Sequence, residues 1–406
     1  MKPKPPTVFW GNERVTHEAL IGQLQAETLE RLSEAEWVLL LQDTTSLDFS
    51  DHKATEELGM LENEYGQGIF VHTTLATSTE GLPLGVMGQQ TWVRPMEERG
   101  KAAKRHETPF EDKESYKWVE GLPVMTGKQR VKGITVCDRE AHIYDFLDRL
   151  TTAKQDFIIR GASGRSFTEE GLDIFKAIAF QDVAAELTIQ LKRRPEREAR
   201  PATLDLRFGC LTLRRPARSK ALQATLTVSV VEVIEPNPPD GEEAVHWLLL
   251  TSLPVETVAA AQQIITWYTY RWLIERFHYT LKSGCKLEES QLRTADRLKR
   301  LLAVYSGVAW KLLWLTYKAR LTPDEPASSI LLPHEWQALY AFINNSRNPP
   351  QKPPTIRQAV RWIGQLGGFL GRKGDGEPGV KVLWRGWARL QDIAHTWAIF
   401  SAKRCG

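Results

Sequence analysis

Apolar and polar positions change rhythm several times along the 406-residue chain, and each change marks an element. Thr16, then Glu18 to Leu32 with Leu, Ala, Gln and Glu at helical spacing, predicts a capped helix. Trp37-Val-Leu-Leu-Leu41 is a continuous apolar run, the texture of a strand buried on both faces, and it ends in Gln42-Asp43-Thr44-Thr45. Ile69 to Thr77 and Gly85 to Val93 read as strands on either side of the turn signal Thr79-Glu-Gly-Leu-Pro83. A polar, helical stretch centres on Lys113 to Trp118. The short apolar strand Gly133 to Cys137 then ends in Asp138, and Ile143, Leu147 and Leu150 recur at helical spacing.

Between 166 and 250 the period switches to two, as in Leu187, Ile189, Leu191 and in Leu226, Val228, Val230. That predicts an antiparallel sheet with turns at Arg194-Pro195 and at Pro236 to Gly241. His246 to Ser252 returns to a buried texture. Val255 to Ser283 reads as one helix stopped by Gly284 as a C-terminal cap, and most of the remainder is helical, interrupted by a Pro-rich stretch near 349–354 and a Gly-rich one near 364–379. No internal repeat stands out.

Composition narrows the class. The formal charge of +3 does not by itself announce nucleic acid, although cations cluster, five between Lys192 and Arg200 and four between Arg214 and Lys220. Taken singly, such runs read as solvated loops. Four scattered cysteines, Cys137, Cys210, Cys285 and Cys405, lack zinc or disulfide spacing, which fits a reduced, cytoplasmic protein. The chain has no 18-residue apolar run and no apolar segment behind Met1-Lys-Pro-Lys-Pro-Pro6, so neither a membrane span nor a signal peptide is expected. Gly121 to Lys128 has the wrong glycine spacing for a phosphate loop, and nothing completes a zinc site around Cys137 and His142.

The candidate chemistry sits on the helix before Gly284. Tyr268, Arg271, Glu275 and Lys282 fall at about 0°, −60°, −20° and −40° when each residue turns about 100°, a narrow polar stripe backed by Leu273, Ile274, Phe277 and Leu281. Such a face could offer a carboxylate to a metal while its cations hold phosphate; an exposed Arg271–Glu275 ion-pair ladder would look the same. Asp43 and Asp138 each follow a short apolar strand, where open α/β sheets place ligands. Alone, each could merely cap a helix or open a turn. Three distant acids brought together could hold two divalent ions for phosphoryl transfer.

These segments resemble the insertion-sequence-four family of bacterial cut-and-paste DDE transposases. The helix carries that family's signature of Tyr, two residues, Arg, three residues, Glu, six residues, Lys without a gap. Further matches are Gln42-Asp43-Thr-Thr-Ser-Leu47, Glu56-Glu-Leu-Gly59, Trp92-Val-Arg-Pro95, Lys113-Glu-Ser with Lys117-Trp118, Val136-Cys-Asp-Arg-Glu-Ala141, Trp247 to Ser252 and Leu366-Gly-Gly-Phe369. The resemblance implies an RNase H-like mixed-sheet core with a β-rich insertion between the second and third acids and a helical C-terminal region. The divisions expected are 1–35 as the end of a DNA-binding segment, 36–165 and 251–300 as the core, 166–250 as the insertion and 301–406 as the dimerisation region. It also implies Asp43, Asp138 and Glu275 as catalytic acids binding Mg²⁺, with Mn²⁺ able to substitute. Tyr268, Arg271 and Lys282 are implied as phosphate contacts, and Trp247 as the ring that stacks on a base flipped out at the transposon end. The implied partners are double-stranded DNA, as terminal inverted repeats and as target, and a second copy of the chain in a homodimer at the nucleoid.

One departure stands out. Val8 to Asn12 and Val15 to Leu20 resemble the far end of the family's N-terminal DNA-binding segment, so the chain opens inside it. A shortened, non-catalytic inhibitor acting through mixed dimers is therefore an alternative to an active transposase. An unrelated RNase H-like nuclease, which would cut without joining, is a third.

Overall fold

The strand that opens at Trp37 does not stop at the acid. Strand β1 covers Trp37–Asp48, with Asp43 in its middle. The structure, a computed structural model, describes residues 9–32, 35–62, 65–98, 108–124, 131–193 and 197–402. The β1 strand continues because one edge pairs antiparallel with β3 (Gln67–Thr77) all the way from Leu39 to Asp48. Its other edge pairs parallel with β5 (Lys132–Cys137) only as far as Leu41 opposite Val136. The polar second half gave no hydrophobic signal, yet β3 satisfies its backbone groups as fully as those of the first half.

Outside β3 lie β2 (Gly59–Met60) and β4 (Pro83–Trp92), and beyond β5 lies β6 (Asp156–Arg160), also parallel. The order β4-β3-β1-β5-β6, three parallel strands flanked by an antiparallel pair, is the mixed RNase H-like core. The expected antiparallel insertion forms β7 (Phe167–Thr168), β8 (Ala185–Leu191), β9 (Arg200–Arg214) and β10 (Thr225–Ile234). It is not a separate layer. Strand β11 (His246–Thr251) lies between β10 and β6 and bonds to both, so one sheet of eleven strands runs through core and insertion among the described residues. The turn expected at Arg194-Pro195 lies outside the described residues.

Helix α1 (His17–Arg31) starts where expected, its first turn capped by the Thr16 hydroxyl accepting from Ala19 N at 3.1 Å. One face of the sheet carries α2 (Tyr144–Thr152) and α3 (Ile174–Ile178), packed with Trp118, Cys137 and Phe157. The opposite face carries α4 (Val258–Thr269), α5 (Trp272–Tyr279) and α6 (Ala295–Leu321). There Ile264, Ile274, Phe277 and Leu281 meet Leu39, Leu41, Ile134 and Val136. Each fully buried side chain of this kind contributes about 1.5–3 kcal/mol. The C-terminal helices α7 (Pro333–Ile343), α8 (Ile356–Leu366) and α9 (Val380–Ala402) share a core of their own around Trp336, Leu339, Ile363 and Leu390, with Trp384 and Trp387 half-buried against it.

Two expectations need correction. The stretch around Lys113 to Trp118 is short 3-10 turns, Phe110–Asp112 and Glu114–Tyr116, followed by one helical turn, Lys117–Glu120. The helix expected from Val255 to Ser283 begins at Val258 and is broken at Tyr270 and Arg271. There Tyr270 N, Arg271 N and Leu273 N bond three residues back instead of four. Its end is a π turn, Thr280–Gly284, closed by Cys285 N donating to Thr280 O at 2.8 Å. Gly284 is thus inside the last turn, and Lys286, at φ 57°, takes the left-handed position beyond it.

Candidate active site

Asp43 lies two residues past Leu41, and Asp138 two residues past Val136, the last pair in the parallel β1–β5 ladder. Side chains alternate along a strand, so Asp43 shares the face of Leu39 and Leu41, against which α4 and α5 pack. The two aspartates therefore emerge side by side where the parallel strands part. Asp138 Oδ1 accepts from Glu140 N at 2.8 Å and so caps the 3-10 turn Arg139–Ala141. Asp43 Oδ1 accepts from Thr44 N at 2.9 Å. The capping role that the sequence allowed for Asp138 thus exists, alongside its place in this cluster.

Helix α5 brings Glu275 to the same spot. Burial pushes the Asp43 carboxyl up to about 7; Arg271 pulls it back, and the charges of Asp138 and Glu275 add to the rise. One half-buried carboxyl that feels two others can hold its charge only beside a cation. Arg271 is the cation at hand. Burial works against its charge, but Tyr268, Glu275 and Asp43 outweigh that and raise its pKa. Its guanidinium Nη2 bonds Glu275 Oε1 directly, the i, i+4 pair anticipated as a surface ladder, here with Arg271 only 17% exposed.

The remaining signature residues spread along the cleft. Tyr268, just before the break at Tyr270 and Arg271, is 3% exposed, with burial raising its phenol while Arg271 and Arg160 pull it back. The ring of Trp247 on β11 is half-buried and meets Tyr268 edge-on at 5.2 Å between centroids. Lys282 sits in the π turn with Nζ 3.9 Å from Glu288 Oε1, and Glu288 in turn accepts from Asp48 N at the end of β1. Lys282 is thus offset toward the far end of β1, away from Tyr268.

Two neighbours were not singled out from sequence. His278 Nδ1 lies 3.8 Å from Asp43 Oδ2. Burial, helped by Lys282, pushes its pKa down to about 3, so it faces Asp43 as a neutral ring and the contact is not an ion pair. Ten residues past Tyr268, it borders the polar stripe and could have been read from spacing. Arg160 ends β6, donates to His246 O at 3.1 Å and holds its guanidinium 5.8 Å from the Trp247 ring. Its only sequence signal was a cation closing an apolar strand.

Among the described residues, no three His, Cys, Asp or Glu side chains stand close enough to hold a metal ion as placed. The acids instead satisfy themselves on Arg271 and on backbone N–H groups. The donor set is three carboxylates, the hard oxygen ligands that suit Mg²⁺ or Mn²⁺, and it surrounds a carboxyl whose ionisation a cation would favour. His278 Nε2 and Arg271 Nε, both buried, have no hydrogen-bond partner among the described residues. The donor chemistry, though not the present spacing of the acids, suits a divalent cation.

Comparison with known protein families identifies the chain. The DDE domain of transposases matches residues 43–308, well over half of the chain, beginning at Asp43 and taking in Asp138 and Glu275. The dimerisation domain of the Tn5 transposase matches residues 307–401, from α6 through α9. The chain therefore belongs to the DDE transposases, with the two-part organisation of the insertion-sequence-four group.

Proposed function

We propose that this transposase cleaves transposon ends and joins them to target DNA by phosphoryl transfer at Asp43, Asp138 and Glu275. The observation that carries the reading is that Asp43 and Asp138 lie just beyond the last parallel pair of β1 and β5, where half-buried Asp43 feels the charges of Arg271, Asp138 and Glu275. The three carboxylates would hold two Mg²⁺ ions. Bound there, the ions supply Lewis-acid activation of the attacking oxygen and stabilise the leaving one. In the first step water attacks the phosphodiester at the transposon end and frees a 3′-OH. That hydroxyl attacks the opposite strand, and later a target phosphodiester.

The chain's own residues hold the DNA for this. Arg271, Tyr268 and Lys282 form a line of donors suited to the phosphates on either side of the scissile bond. Half-buried Trp247, edge-on to Tyr268 and below Arg160, offers a ring face to a base extruded from the end, and stacking there contributes roughly 1–3 kcal/mol. On this reading residues 36–165 and 251–300 form the catalytic core, 166–250 the insertion and 301–406 the dimerisation region, and the working unit is a homodimer.

Glu275→Gln removes one charge and keeps the size of the side chain. It should melt like the parent and fail to cleave a terminal-repeat duplex in Mg²⁺ or Mn²⁺. Cleavage at the parental rate by that variant would reject the assignment.

A further inference from the structure

On the sheet face opposite the signature helix, a groove of about 950 Å³ runs between the 3-10 turns at 110–116, the N-terminal end of α2 and the loop at 216–222. Trp118 and Tyr144 form part of its wall and belong to the cluster that holds Cys137, whereas Val136 packs with the signature helix. Glu140 and His142, just after Asp138, line its near end, so the groove starts two residues from a catalytic acid but on the other side of the sheet edge.

Its charges are unevenly committed. Of the five carboxylates lining it, four are engaged within the protein. Glu111 pairs with Arg149 at 2.8 Å, Glu114 with Arg94 at 2.7 Å and Glu140 with Lys117 at 3.9 Å, while Asp148 accepts from the N–H groups of Leu222 and Gln223. Lys113, Arg218 and Lys220 form no ion pair among the described residues, and Arg218 and Lys220 are exposed. The last two come from the basic run Arg214 to Lys220, which spacing alone could not tell from a solvated loop. The floor is fixed. Arg165 Nη1 donates to the carbonyls of Arg139 and Glu140, and His142 Nε2 meets Ser166 Oγ at 2.8 Å, so the turn after Asp138 is stapled to the loop after β6.

Joining brings two DNAs to one phosphorus, with attacking and leaving oxygens on opposite sides of it. The proposed contacts for the transposon end, Tyr268, Arg271, Lys282 and Trp247, all lie on or beside the signature-helix face. We propose that the opposite groove seats the phosphate backbone of the target duplex, held by Lys113, Arg218 and Lys220. This rests on the proposed strand-transfer reaction.

The test uses the full chain carrying Lys113→Glu, Arg218→Glu and Lys220→Glu together, and a second chain with Gln at the same three positions. Cleavage of an uncut terminal-repeat duplex should stay within about twofold of the parent, while joining of a pre-cut end to a supercoiled plasmid falls roughly tenfold or more, and less for the Gln chain. Without Mg²⁺, affinity for a short duplex of random sequence should fall similarly and depend less steeply on salt, because fewer counterions are released. Unchanged joining and binding would overturn the proposal. So would equal loss of cleavage and joining, which would assign these cations to the donor DNA. Failure of the strand-transfer reading shows separately, as a parent that does not cleave, and the binding arm then still decides the groove.

Discussion

At the scale of single residues, the site is governed by desolvation. Asp43 is half-buried, and desolvation raises its pKa while the Arg271 charge offsets this. The same physics acts on His142 behind the cluster, where burial pushes the ring down to about 4 from an ordinary 6.5, with Nδ1 accepting from Ala162 N at 2.9 Å. The unfolded chain takes up this proton near 6.5 and the folded protein only near 4. The stability that neutral His142 lends is therefore complete above 6.5 and is lost as pH falls from 6.5 toward 4, by up to about 3 kcal/mol. Urea midpoints measured across that window for the parent and for His142→Asn should diverge at neutral pH and converge in acid. Parallel curves would remove His142 from this role. That Tyr268, Arg271, Glu275 and Lys282 share one polar stripe was legible in their spacing; how deeply each is buried was not, because that depends on what packs over it. His278 shows the difference, since its sequence position suggested a helix flank and its burial makes it a neutral neighbour of Asp43.

At the scale of elements, spacing foresaw the strand before Asp138 and the cap of α1, and it failed where helices depart from regular geometry. A constant turn of about 100° per residue cannot anticipate a break at Tyr270 or a π turn at Thr280–Gly284. The break has a visible neighbour. Gly81, in the turn between β3 and β4, has φ +86°, and a Cβ placed there would lie 2.6 Å from Tyr270 Cε1. Gly81→Ala therefore meets both backbone strain and the Tyr270 ring. It should lower stability on the order of 1–3 kcal/mol and slow end cleavage by displacing the residue just before Arg271. Pairing it with Tyr270→Ala should restore part of both. A single variant that cleaves at the parental rate would show that this contact does not set the helix. Strand β1 teaches the complementary lesson: Gln42 to Ser46 carry no apolar signal, so only the partner β3 makes them a strand.

At the scale of the whole molecule, the helical C-terminal region covered by the dimerisation domain has its own core and ends in exposed apolar residues. Ile399 is 47% and Phe400 63% exposed on α9, beside a shallow pocket with Ile393 and Trp397. A second copy seated on this end would bury that apolar area; in that arrangement Phe400→Glu should leave the melting of the isolated chain unchanged and shift sedimentation toward monomer. A variant that associates like the parent would place the contact elsewhere. Among the described residues no helix is long and apolar enough to cross a membrane. Composition had given little sign of DNA, because the cations are dispersed over several elements and only folding gathers Arg218 and Lys220 with Lys113.

The union of core and insertion in one sheet has a mechanical corollary. Because β11 is hydrogen-bonded to β6, Trp247 and Arg160 are carried on the same rigid ladder as Asp138, with no hinge between the ring and the carboxylate. Lengthening the outer hairpin of β8 and β9 would therefore leave the distance from the Trp247 ring to the Asp138 carboxylate as it is.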